Sequence, residues 1–266
     1  MKSKIKKFGL TAGMLASSFL LVFCDEAVPE VEIDRGSSEN LVFEETFEGP
    51  SEPFSTIHDF DIGTWDYALQ YVHSPTFKGS TSARFEIRED QELVANGKRS
   101  EVTIVKASEG DIGANAWYSF AVYFPSDGYE YDDEREVISQ WFQNGSPATS
   151  LRTEEDRIIL EASNDLDARE EIEIATITKD TWHTMVLHFI HSYNSDGLIE
   201  IWFDGRKVIT RQGGNMYDDI LPKWKIGLYK SAFKYNTSLV TKRVIFFDNV
   251  RAGNELATYN DMKPER

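Results

Sequence analysis

Lys223-Trp224-Lys225-Ile226-Gly227-Leu228-Tyr229-Lys230 is the stretch on which the reading of this chain turns. Successive side chains of a strand point to opposite faces. Trp224, Ile226 and Leu228 therefore share one face, while Lys223, Lys225, Gly227 and Tyr229 share the other. The first face suits a core. The second offers two cations, a patch of bare backbone and a phenol. A groove for an anionic, ring-shaped ligand has a use for each: lysine for carboxylate or sulfate, glycine for close approach, tyrosine for stacking or proton transfer. A half-exposed strand whose lysines lay their stems over apolar neighbours fits the same residues.

Working outward, the rest of the chain reads as more strands of this kind. Runs rich in β-branched and aromatic residues fall at 41–47, 67–73, 83–88, 100–105, 117–124, 137–142 and 157–161. Others follow at 171–177, 182–190, 198–203, 208–211, 224–229 and 243–250. Asp204-Gly205 between two apolar runs is a hairpin signal, and 194–197 reads as another turn. No long stretch keeps a helical period. The expected fold is all-β, with two packed antiparallel sheets forming a jelly-roll sandwich over residues 41–253. Residues 254–266 read as a polar C-terminal tail.

At 266 residues and 41% hydrophobic, the chain can build one large core. A net charge of −17 argues against nucleic acid as a partner, since a general binder would be basic. An anionic ligand would need a local basic island against that background. The single cysteine, Cys24, excludes an internal disulfide. Lys2, Lys4, Lys6 and Lys7 form a basic leader, followed by an apolar run over 8–23 that is short for a membrane span. Leu21-Val22-Phe23-Cys24 resembles a bacterial lipobox. That resemblance implies a signal peptide over 1–23, a lipidated Cys24 and anchoring at the outer membrane, the cell surface or the periplasm. Residues 24–40 are too acidic to pack and read as a tether.

Two further strands carry polar faces. Arg99, Glu101 and Thr103 share one face of their run, as do Gln140 and Phe142 of theirs. A concave sheet collecting Arg99, Glu101, Gln140, Lys225 and Tyr229 would hold a charged, hydrogen-bonding groove. Arg99 and Glu101 could equally be a surface pair of little energetic weight.

In order along the chain, several segments resemble the jelly-roll polysaccharide lyases, the group of heparin lyase I, glucuronan lyase, alginate lyase and ulvan lyase. They are Arg99-Ser100-Glu101, the run from Trp117 to Pro125, Gln140-Trp141-Phe142, Trp182-His183, Trp202-Phe203-Asp204-Gly205, Lys225-Ile226-Gly227-Leu228-Tyr229 and Phe247-Asp248-Asn249-Val250-Arg251. The resemblance implies β-elimination at a uronic acid, most of all in a glucuronate-rich algal polymer, ulvan ahead of glucuronan, with alginate and heparin-like glycans behind. It places Gln140 and Arg99 on the substrate carboxylate and makes Tyr229 the proton donor, and also the base if elimination is syn. Lys225 and Lys223 would bind neighbouring anions beside Phe142, and Glu101 would orient Arg99. Relatives often carry Gln-x-His where this chain has Gln140-Trp141-Phe142. The base is therefore expected at His73, rather than at His183, His188 or His191.

The resemblance also implies a structural calcium at Glu48 and Asp248, where the first and last strands would meet. Hard oxygen ligands suit that ion, and no His/Cys cluster suits zinc. A non-catalytic glycan-binding lipoprotein on the same fold is the alternative that Phe142 favours. A laminarinase-type hydrolase would need two carboxylates on one strand face, usually as Glu-x-Asp-x-x-Glu, and Glu170-Glu171-Ile172-Glu173 lacks the third acid at that spacing.

Overall fold

The computed structural model describes residues 38–57 and 59–265. Cys24, the expected signal peptide and nearly all of the expected tether lie outside them. The strands β1 (Leu41–Glu45), β2 (Asp59–Asp61), β3 (Leu69–Val72), β4 (Ser82–Arg88) and β5 (Arg99–Lys106) come first. β6 (Asn115–Tyr123), β7 (Glu136–Phe142), β8 (Pro147–Glu154), β9 (Arg157–Ala162) and β10 (Glu170–Thr176) follow. β11 (Trp182–Ile190), β12 (Leu198–Phe203), β13 (Arg206–Gln212), β14 (Lys223–Tyr229) and β15 (Lys242–Gly253) complete the set. Two one-turn helices, α1 (Ala232–Tyr235) and α2 (Tyr259–Met262), flank β15.

The strands form the expected two-sheet antiparallel sandwich. The larger sheet runs β13-β12-β11-β6-β15-β4-β3, with β1 also paired to β15. The smaller runs β10-β9-β8-β7-β14-β5-β2. Alternation decides what lies between them. Trp224, Ile226 and Leu228 of β14 are fully buried, and they meet Tyr118 and Phe120 of β6 and Phe85 of β4 in one core. The Trp224 ring lies 5.0 Å from Tyr118, and its indole nitrogen donates to Ser139 Oγ at 2.9 Å. The indole is thus both packed and satisfied. At the β12–β13 hairpin, Asp204 and Gly205 take φ of 48° and 80°, the positive angles that a two-residue turn requires.

β14 sits between β5 and β7, so the stretch that opened the sequence reading is a central strand of its sheet. Gly227 is where it bends. Its φ is +129°, and a Cβ there would lie 2.2 Å from the Ser100 carbonyl oxygen. The register with β7 slips by one residue between Ile226 and Tyr229, the signature of a bulge. The glycine expected to admit a ligand instead admits the backbone of β5.

The residues after β15 are not a tail. Thr258 and Asp261 make a capping box at the start of α2, Met262 and Ala257 are buried, and the Tyr259 ring packs at a tilt against Trp202, centres 5.4 Å apart. The polar composition of 254–266 hid these few apolar contacts, which cover Trp117 and Val186 on the outer face of the larger sheet.

One buried charge cluster anchors the end of β14. Lys230 is fully buried, 2.6 Å from Glu136 and 3.1 Å from Asp132. Arg243 of β15 reaches the same two carboxylates, at 3.1 and 3.6 Å. Two cations thus balance two anions inside the protein. Lys230→Met would leave both carboxylates on Arg243 alone, at a cost of about 3–5 kcal/mol. We expect the unfolding temperature to fall by roughly 10 °C. An unchanged midpoint in thermal unfolding would show that this cluster does not anchor the strand.

Candidate active site

The outer face of the smaller sheet carries the groove. Register puts its groups in rows across the strands. Lys225 faces Thr103 of β5 and Gln140 of β7, Gly227 faces Glu101, and Tyr229 faces Arg99. Of the residues singled out in the sequence, the structure brings together Arg99, Glu101, Gln140, Phe142, Lys223, Lys225 and Tyr229. Cavities of about 290 and 380 Å³ adjoin here, both lined by Arg99, Phe142 and Tyr229.

Glu101 is the hub. Its carboxylate is 1% exposed and accepts from Arg99 Nη1 at 3.1 Å and from the side-chain amide of Gln140. Glu101 and Gln140 lie on the two strands that flank β14. They meet across it, Glu101 opposite Gly227 and Gln140 opposite Lys225. Burial raises the Glu101 carboxyl above its ordinary range, against the charges of Lys225 and Arg99 and the Gln140 hydrogen bond. The Arg99 guanidinium also lies over the Tyr229 ring, 4.4 Å from its centre. Arg99 Nε is buried with no hydrogen-bond partner among the described residues, an open donor of the kind a ligand or water fills.

Lys225 is 3% exposed and pairs with Asp61 of β2. Burial would raise the Asp61 carboxyl, but the hydrogen bond and charge of Lys225, with Arg99 and Lys223 behind it, hold it below the ordinary value. Lys225 therefore serves the floor of the groove, with its charge already met by Asp61. Lys223 is half-buried, and no carboxylate pairs with it among the described residues. Burial and the charge of Lys225 lower its pKa, against Asp59 and Asp61. Phe142 lies between the two lysines, its ring centre 5.2 Å from one ammonium and 5.6 Å from the other.

His73 does not reach the groove. It sits past the end of β3, on the edge of the other sheet, exposed, with Nδ1 2.8 Å from the Ser80 carbonyl oxygen. Its strand reads like those of the site, but sheet membership was not written in its pattern. The other described histidines belong to the larger sheet or its continuation. His183 bonds Asp204, His188 lies between Glu200 and Asn115 and stacks on Trp117, and His191 is buried against Tyr118. Burial pushes the His191 ring down to about 3, so it stays neutral. His58 lies outside the described residues.

Three contributors went unread in the sequence. Asp61 rides on β2, three residues long. Arg152 rides on β8, whose Pro, Ser and Thr read as turn. Gly97 borders the groove where a Cβ would come within 2.5 Å of the Tyr229 ring and 3.0 Å of Arg99 Nη2.

Glu48 and Asp248 both grip the loop after β3. Asp248 is buried and accepts from the backbone of Phe77 and Lys78, and Glu48 accepts from Ser80 and Thr81. Burial raises the Asp248 carboxyl against those hydrogen bonds, and no cation pairs with it among the described residues. Asn249 Oδ1 is buried with no hydrogen-bond partner among them. Both carboxylates spend both oxygens on hydrogen bonds, Glu48 on Ser80 and Thr81 and Asp248 on Phe77, Lys78 and Asn249, so Asn249 Oδ1 is the open hard oxygen here, of the kind that suits calcium.

A sequence profile of the polysaccharide lyase family matches residues 48–251, and the chain belongs to that family. It is thus a polysaccharide lyase, as the ordered segments implied. The fold is similar to an endo-β-1,4-glucuronan lyase from the fungus Trichoderma reesei. The TM-score is 0.67 at 18% identity, over 85% of this chain and 99% of that one. It is also similar to the binding domain of botulinum neurotoxin serotype D/C, with a TM-score of 0.54 at 10% identity, over 84% of this chain and 50% of that one. At such identities the likeness is one of fold. No curated protein sequence matches the chain significantly.

Gly97→Ala is expected to displace the Tyr229 ring and lower kcat by on the order of tenfold or more, with little change in unfolding temperature. Steady-state kinetics beside a melting curve checks this. Normal kcat would mean that the ring position does not depend on Gly97.

Proposed function

We propose that this lyase cleaves a glucuronate-containing polysaccharide by syn β-elimination, with Tyr229 as both base and acid. The observation that carries the reading is that Tyr229 is the proton-exchanging side chain beside the Arg99–Glu101–Gln140 cluster, while none of the described histidines lines the groove. Arg99 and Gln140 donate to the C6 carboxylate, where negative charge builds as the C5 proton leaves. A fixed donor at such a point is worth about 3–4 kcal/mol. The Tyr229 oxygen, as phenolate, takes the C5 proton. The C4–O bond then breaks, the C5 electron pair forms the C4–C5 double bond, and the same proton passes to the departing O4. Glu101 orients both donors. As a base it would face the substrate carboxylate, like charge against like.

Among polymers we place ulvan ahead of glucuronan, because Lys223 remains unpaired for a sulfate. The fold likeness to a glucuronan lyase supports glucuronate as the sugar. Phe142 supplies an apolar surface against which a pyranose ring can stack. On the sequence alone, we also propose lipidation at Cys24 and anchoring at the outer membrane or cell surface.

The test is ultraviolet absorbance of the unsaturated uronate after mixing with ulvan, glucuronan, alginate and heparin in parallel. A rise with a glucuronate polymer is expected. Tyr229→Phe should lower kcat at least ~100-fold with the fold intact. A near-wild-type rate in that variant removes Tyr229 from the mechanism. Flat traces with retained polymer binding would make the protein a glycan binder instead.

We further propose that calcium binds at the open Asn249 Oδ1, with Asp248 exchanging its bonds to Asn249 for the ion, tying β15 to the loop after β3. EDTA should then lower the unfolding temperature and added calcium restore it, since a ligand of the folded state stabilises it. A melting curve indifferent to both would remove the ion.

A further inference from the structure

Two cations of the groove lack a carboxylate of their own, one on either side of the reaction centre. On one side is Lys223, at the opposite end of β14 from Tyr229. Asp61 pairs with Lys225, and Asp59 and Glu109 share Lys106, so no carboxylate bonds Lys223 directly among the described residues. On the other side is Arg152 of β8. Register sets Arg152 opposite Val137, and Val137 opposite Tyr229, so Arg152 lies two strands from the phenol, about 10 Å away.

Arg152 shares its counter-ion. Glu161 Oε1 accepts from Arg152 Nη2 at 2.9 Å and from Arg169 Nη1 as well. Arg152 Nε goes to Ser150 Oγ at 3.0 Å, and Arg169 Nη2 goes to Ser146 Oγ at 3.0 Å. One carboxylate thus serves two guanidinium groups, leaving one positive charge over. Arg152 lines the same cavity as Arg99, Gln140 and Tyr229. Burial, together with the charges of Arg169 and Arg135, lowers its pKa despite Glu161, as expected for a cation short of an anion.

We propose that Lys223 and the Arg152–Glu161–Arg169 cluster are two anion subsites that hold acidic groups, carboxylate or sulfate, on the sugars flanking the uronate that is cleaved. This rests on the elimination reading for what lies between them. It makes the enzyme an internal cutter of polymers that carry anions on both sides of the scissile bond. Such chains bind across the whole groove, and short ones lose one contact or both.

The fold tolerates the test. Removing Arg152 leaves Glu161 and Arg169 as an equal pair. Removing Arg169 leaves Glu161 to Arg152 alone, which cancels the excess without touching Arg152. In the full-length protein acting on ulvan and on glucuronan, Lys223→Gln and Arg152→Gln are each expected to raise KM about tenfold, one charge-assisted contact of about 1.4 kcal/mol. The loss should fall on KM more than on kcat. KM should also depend less steeply on salt, because fewer charges are matched. Arg169→Gln should raise KM in the same direction. Affinity electrophoresis through gels containing either polymer reads binding without turnover, and all three variants should be retarded less than the wild type. Wild-type turnover with unchanged KM and retardation in the variants would overturn the subsites. Retardation that depends on Lys223 and Arg152, without turnover of any polymer by the wild type, would uphold the subsites and overturn the elimination reading.

Discussion

A carboxylate buried under the groove sets the terms for everything around it. Glu101 is almost wholly shielded from water, and a buried charge is tolerated only when it is paired and hydrogen-bonded. Its partners are Arg99 and Gln140, the two donors assigned to a substrate carboxylate in the proposed reaction. Pairing them to Glu101 fixes their positions before any substrate arrives, which is the condition for electrostatic catalysis without reorganisation. Gly227 answers a neighbouring constraint, since a Cβ there would strike the Ser100 carbonyl oxygen and the Glu101 backbone.

β14 is held from three directions. Trp224, Ile226 and Leu228 pull it into the core, the bulge at Gly227 presses it against β5, and Lys230 ties its end to buried carboxylates. Tyr229 sits between the bulge and that tie, with Arg99 over its ring and Gly97 beneath its edge. A side chain on a central strand, gripped on both sides, is placed more firmly than one on a loop, which suits the role proposed for Tyr229. The cations follow a different logic. Those inside the sheet are neutralised, Lys225 by Asp61 and Lys230 by Glu136 and Asp132, whereas Lys223 at the flank is not. A strongly acidic protein thereby keeps a cation without a bonded carboxylate at the edge of its groove.

Much of this was legible in the chain. The alternation in β14 announced both its core face and its groove face, and the polar faces of β5 and β7 showed in the same way. Three features were not. β2 is too short to carry a pattern. Pro147, Ser150 and Thr153 disguise β8. His73 lies in a segment that alternates as well as any other, yet its strand joins the opposite sheet. Local pattern tells which residues share a face of a strand. It does not tell which strands share a sheet.

The sequence by itself determined the fold class, the central strand, and which polar groups share the groove face of each strand. It could do so because period-two alternation is a local property, enforced by the geometry of each strand. Only the tertiary structure decided which of those groups meet. It gave Lys225 to Asp61, Glu101 to Gln140 across β14, and half of Glu161 to Arg152, and it left His73 on the far sheet. Those pairings depend on strand order and register between segments distant in the chain, and no local pattern encodes them.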